Sequence, residues 1–157
     1  MRSQKMSSTL ALSYPAIAES VPCARQAVVA FARQAGAEEE QLENVRLAVS
    51  EAITNVVRHA YPPGEPGTVT VEAARAGEEL WVLVSDDGHG LQDRSHSPGL
   101  GLGLALIASA ADDFALVKRA VRGIELCMRF GLGVRCQPRG SVASATSPAS
   151  SRFSTTR

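Results

Sequence analysis

The segment from Val45 to Ala60 constrains the fold more than any other part of the chain. Val45, Val49, Ala52, Ile53, Val56, Val57 and Ala60 recur at helical spacing and predict one helix with an apolar stripe. Glu38, Glu39 and Glu40 favour its N-terminus through the helix dipole, and Tyr61-Pro62-Pro63-Gly64 breaks it. Glu51, Asn55 and Arg58 share another face of the same helix. The stripe requires an apolar layer to pack on, whereas the polar face does not.

The flanking segments predict that layer. Leu10, Leu12 and Tyr14 alternate with polar or small residues as in a strand ended by Pro15. Ser20 is placed to cap a first helix, in which Val21, Ala24, Val28, Phe31 and Ala35 recur until Gly36. Thr68 to Ala74 and Leu80 to Ser85 read as an antiparallel pair around Ala76-Gly77-Glu78, and their partial alternation predicts that both are well buried. Leu104 to Ala111 predicts a third helix, its N-terminus abutting Gly101 and Gly103. Phe114 to Val121 and Ile124 to Phe130 predict paired strands around Arg122-Gly123. The order β-α-α-β-β-α-β-β fits an α+β fold, a mixed or antiparallel sheet with helices on one face.

At 157 residues the chain suits one domain. Four arginines and no acid follow Gly131, which leaves 12 basic against 16 acidic residues before it, a net of −4. That mildly acidic body gives no electrostatic reason for nucleic-acid binding. Cys23, Cys127 and Cys136 lack the close spacing of a zinc site or disulfide framework and read as inert thiols. The Leu10-Ala11-Leu12 patch is too short for a signal peptide, and the weakly polar Gly99–Ala111 stretch is shorter than the ~18 residues of a membrane span. A cytoplasmic protein without membrane contact is expected. Residues 1–8 read as a flexible start, 9–130 as the domain, and 131–157, rich in Ser, Ala and Arg, as a disordered tail.

Three motifs carry chemistry. Glu51 and Asn55, at i and i+4, address one ligand: an amide oxygen suits Mg²⁺, and a neighbouring carboxylate can take a proton from an attacking hydroxyl. Taken alone, such a pair is more often a solvated polar face. Asp86, at a strand end before Asp87-Gly88-His89-Gly90, can accept a hydrogen bond from adenine's exocyclic amine, with Gly88 and Gly90 letting the backbone pass closely beneath the base. A surface Asp-Gly turn is an equal alternative. Gly99, Gly101 and Gly103 precede a helix whose free N–H groups attract phosphate. Neither Gly-x-Gly-x-x-Gly/Ala nor a Walker loop is present. Arg58, permanently charged, can reach a phosphate from the helix of Asn55, or form a surface salt bridge.

Ser50-Glu51-Ala52-Ile53-Thr54-Asn55 through Tyr61, Asp86-x-Gly88-x-Gly90 and Gly101-Leu102-Gly103-Leu104-Ala105-Leu106 together resemble the boxes of the GHKL ATPase superfamily. Within it they look like the small bacterial anti-sigma factor serine/threonine kinases, over roughly residues 8 to 130. The resemblance implies a two-layer α/β sandwich of the Bergerat type. It implies Mg²⁺ on Asn55, adenine on Asp86, Glu51 as general base, and a nucleotide bordered by the glycines, Leu102 and Leu104. It further implies ATP as phosphoryl donor to a serine or threonine of an anti-sigma factor antagonist, capture of a sigma factor, and a homodimer. Arg25, in Glu19-Ser20-Val21-Pro22-Cys23-Ala24-Arg25, resembles a partner-contacting arginine. The segment Leu91 to Pro98 is shorter than the nucleotide lid of longer members. Two rival readings share the boxes: an ATP-gated binding module without transfer chemistry, and a detached histidine-kinase catalytic domain. The second would require a dimerisation helix with a phospho-accepting histidine, and none precedes the boxes.

Overall fold

The computed structural model describes residues 8–89 and 100–133. Its elements are β1 (Thr9–Pro15), α1 (Ser20–Gln34), α2 (Glu39–His59), β2 (Thr68–Ala76), β3 (Glu79–Asp86), α3 (Leu100–Ala110), β4 (Asp113–Lys118) and β5 (Ile124–Gly131). The strands form one sheet in the order β1-β2-β3-β5-β4, and every pairing is antiparallel. The fold is therefore α+β, as expected, with the antiparallel alternative realised.

Register shows how the core is made. Val71 pairs with Val84 and Val84 with Leu126, while Ala73 pairs with Val82 and Val82 with Met128. All six are buried, because cross-strand partners share a face and this face lies beneath the helices. The stripe of α2 meets it: Val45, Val49, Ala52, Ile53 and Val56 are buried in the same core. The alternate residues of β2 and β3, among them Thr70, Glu72, Trp81 and Leu83, are half-buried or exposed. The expectation that both strands are well buried is thus corrected. An antiparallel sheet can leave one face to solvent, and no described helix covers this one.

Helix ends account for further differences. Ser20 does not cap α1. Glu19 holds the cap position without a side-chain bond, and Ser20 is the first helical residue, itself buried. Gly36 does end α1, at φ +97°, where the Ala37 amide reaches back to the Ala32 carbonyl at 3.0 Å. At the start of α2 the Glu38 amide donates to Gln41 Oε1 at 2.8 Å. Helix α3 begins at Leu100, four residues earlier than predicted, so Gly101 and Gly103 lie within its first turn. β4 ends at Lys118 rather than Val121 because Arg119 to Gly123 form the turn into β5, closed by the Arg119 amide on the Gly123 carbonyl at 3.0 Å.

β5 runs through Gly131, and Leu132 beyond it is buried, its amide bonded to the Glu78 carbonyl at 2.8 Å. Gln41 Nε2 then holds the Gly133 carbonyl at 3.2 Å. The expected tail thus does not begin at 131; residues from 134 onward, and residues 1–7 of the expected flexible start, lie outside the described residues.

Candidate functional site

Asp86 is the last core-facing residue of β3. It continues the parity of Leu80, Val82 and Val84 and pairs with the buried Val69, so the sheet itself directs a carboxylate to the helix-covered side. It is 3 % exposed, a carboxylate held almost out of water at the end of an apolar row. Its Oδ1 accepts the Gly88 amide at 2.9 Å, which folds the chain back under it. Gly88 needs its missing side chain: a Cβ there would sit 2.1 Å from the Ala60 carbonyl oxygen. The neighbouring His89 amide donates to that same oxygen at 3.0 Å. The end of α2 and the end of β3 are thereby held edge to edge.

Tyr61 strengthens this junction. Its hydroxyl accepts the Thr68 amide at 3.0 Å and donates toward the Thr68 carbonyl at 2.7 Å, and it is also hydrogen-bonded to the Asp87 carboxylate. Burial, then the Asp87 hydrogen bond, push its pKa up to about 12.

Further up α2, Glu51 and Asn55 are half-buried and face the first turn of α3. A Cβ on Gly103 would lie 3.1 Å from Asn55 Oδ1 and 3.3 Å from Glu51 Oε2. The amide, the carboxylate and the buried glycine are therefore brought together, beside a helix terminus whose first N–H groups have no intrahelical acceptor. Arg58 is exposed one turn beyond Asn55, and no described carboxylate pairs with it, so the expected salt-bridge alternative is not what the structure shows.

The remaining candidates divide. Leu104 is half-buried, packed against the core. Gly101 is exposed with open space around its Cα, and Leu102 is 69 % exposed on the outside of α3. Because helical residues 100° apart cannot all face α2, Leu102 is not brought to the Glu51–Asn55 face. Gly90 and Gly99 lie outside the described residues. Arg25 is half-buried on α1 and donates to Ser50 Oγ at 3.5 Å, so it leans on the residue next to Glu51.

Two contributors escaped the sequence reading. Gly123, at φ +91°, passes so close to β3 that a Cβ would sit 1.8 Å from the Asp86 carbonyl oxygen, and Arg119 Nη1 donates to that oxygen at 3.0 Å. The Arg122-Gly123 turn signal marked the place but not the neighbour.

Among the described residues no group of three or more His, Cys, Asp or Glu is placed to hold a metal. Asn55 with Glu51 instead offers a partial set of hard oxygens. That suits a Mg²⁺ ion that completes its shell with water and phosphate, so the residues fit the ion the sequence implies. Cys23 and Cys127 are free. Burial, then Glu125 and Asp113, push the Cys127 thiol up and keep it protonated. No described helix is long and apolar enough to cross a membrane.

The family described as Histidine kinase-like ATPase domain matches residues 14–130, most of the chain. The serine-protein kinase RsbW of Listeria monocytogenes is 36 % identical over 126 residues, covering 71 % of this chain and 80 % of that one. The chain belongs to the GHKL anti-sigma factor kinase family. The anti-sigma F factor of Clostridium perfringens, 27 % identical over 135 residues, is covered over 96 % of its length and 79 % of this chain. A crystal structure of the RsbU and RsbW domains of Rv1364c from Mycobacterium tuberculosis shares the GHKL fold, with a TM-score of 0.61 at 19 % identity. The match covers 79 % of this chain and 32 % of that one.

Proposed function

We propose that the chain binds ATP with Mg²⁺, transfers the γ-phosphoryl group to a serine or threonine of an anti-sigma factor antagonist, and sequesters a sigma factor as a homodimer. The observation that carries the reading is the convergence of Glu51, Asn55 and Gly103, on helices packed against the same sheet whose strand β3 ends in the buried Asp86. Kinship with a serine-protein kinase and an anti-sigma F factor supports the choice of partners.

The nucleotide supplies the phosphoryl group, and Mg²⁺ its charge neutralisation. The protein orients and excludes water, as befits a reaction in which positioning dominates. Asp86 would accept the adenine amine, since an ionised carboxylate is acceptor-only and has several lone-pair sites. The first turn of α3 and Arg58 receive phosphate oxygens. Asn55 would offer its amide oxygen to the metal. Glu51 would take the proton of the attacking hydroxyl, whose oxygen bonds to the γ-phosphorus as the bridging P–O bond breaks and ADP leaves. Arg25 belongs to the partner-binding surface.

The test is transfer from labelled ATP with Mg²⁺ to purified candidate antagonists, with Glu51→Ala as control and light scattering for the dimer. Label on a serine or threonine, lost in Glu51→Ala, is the expected result. An antagonist that binds yet gains no label would replace the kinase with an ATP-gated binder, and failure of the parent protein to bind ATP would remove both readings.

A further inference from the structure

The turn between β4 and β5 has a function in the base pocket that the nucleotide boxes do not contain. β3 and β5 pair only as far as Ser85 with Glu125, so the Asp86 peptide lies just beyond the β5 ladder. The turn supplies what the ladder lacks. Arg119 Nη1 donates to the Asp86 carbonyl at 3.0 Å, and the Arg119 amide closes the turn on the Gly123 carbonyl at 3.0 Å. Gly123 lies against the same peptide: a Cβ there would be 2.6 Å from the Asp86 carbonyl carbon and 2.9 Å from Asp87 Cα. Arg122 Nη2 is 3.1 Å from His89 Nε2, so two arginines of one turn hold the strand end and the loop that follows it. Neither arginine has a described carboxylate partner.

We propose that Arg119 is a positioning residue for base selection, fixing the Asp86 backbone so that its carboxylate meets an amine and rejects a carbonyl at the same point. The proposal rests on the assignment of Asp86 to adenine. Adenine presents an exocyclic donor where guanine presents O6, an acceptor that a carboxylate repels. That discrimination requires a carboxylate that cannot swing to guanine's ring N–H and amine donors. Backbone attachment on both sides provides it, with Ala60 and Tyr61 on the α2 side and Arg119 on the other.

The experiment compares ATP and GTP affinity, by competition against a fluorescent ATP analogue, for the parent protein and for Arg119→Met and Arg119→Lys. In Arg119→Met, ATP affinity is expected to fall about tenfold, the scale of one hydrogen bond from a charged donor. The ATP-to-GTP affinity ratio falls with it. Arg119→Lys, which keeps a charged donor, restores part of both. An ATP-to-GTP ratio within twofold of the parent's in Arg119→Met would overturn the proposal, even if stability had dropped. If Arg119→Met does not fold, Arg119→Gln gives the same ratio with the charge removed. A parent protein that binds no ATP would instead defeat the functional reading beneath it.

Discussion

The Asp86 end and the Glu51 end of the candidate site are built differently. At the Asp86 end backbone meets backbone: Gly88 against Ala60, Gly123 against Asp86, each leaving no room for a single added carbon. At the Glu51 end side chains meet a helix turn, and the nearest atoms to an added carbon on Gly103 are movable ones of Asn55 and Glu51. Under the proposed function the rigid wall would meet a base, whose outline is constant. The half-buried side chains would serve a metal and a migrating proton, and they have the freedom to adjust during turnover.

Substitutions can break this contrast, beginning with the largest effect. Glu51→Gln should lower single-turnover transfer by about 10²- to 10⁴-fold, the usual contribution of a general base, while ATP affinity measured by titration stays within about twofold. A parallel loss of affinity would show that Glu51 belongs to the binding wall instead. Gly123→Val combines a left-handed φ with a collision against backbone, and should lower unfolding free energy by about 3 kcal/mol in urea melts. Little change there would mean that the Asp86 end is not rigid. Gly103→Ala should leave stability within about 1 kcal/mol, because improved helix propensity offsets crowding against flexible groups. Transfer should nonetheless fall, since the methyl displaces Asn55 and Glu51; unchanged transfer would argue that those two need not be placed accurately.

The smallest expected effect lies at the Asp86 end, where Tyr61 ties the end of α2 to Thr68 and Asp87. Tyr61, raised from 10.0 to about 12, keeps its proton in the folded protein above the pH at which the unfolded chain loses it. Its stabilising contribution is complete below about pH 10 and is lost as pH rises through about 12. Urea melts at stepped pH, with Tyr61→Phe for comparison, should show the parent's excess stability declining only in that alkaline window. A decline centred below pH 9 would contradict the burial of the phenol.

Much of this was legible in the chain. The α2 stripe could be read because a long helix repeats its burial pattern many times, and Asp86 because it ends an alternating run. The start of α3 differs: Gly101 and Gly103 read as a loop by propensity, yet packing of α3 on α2 holds both in the helix, with Gly103 close against Asn55 and Glu51. Ser20 looked like a cap, but its position in the core overrode that local preference. Arg119 and Gly123 could not be assigned at all. Their target, Asp86, becomes a neighbour only because β5 inserts between β3 and β4, and local periodicity does not encode that order.

Gln41 uses both ends of one amide, Oε1 on the first turn of α2 and Nε2 on the Gly133 carbonyl. Fourteen residues of helix separate Gln41 from Asn55, about 20 Å at the helical rise. Gly133 therefore sits by the end of α2 remote from Asn55. A fluorophore attached at Gly133 itself would leave the Glu51–Asn55 face unobstructed in the ligand titrations.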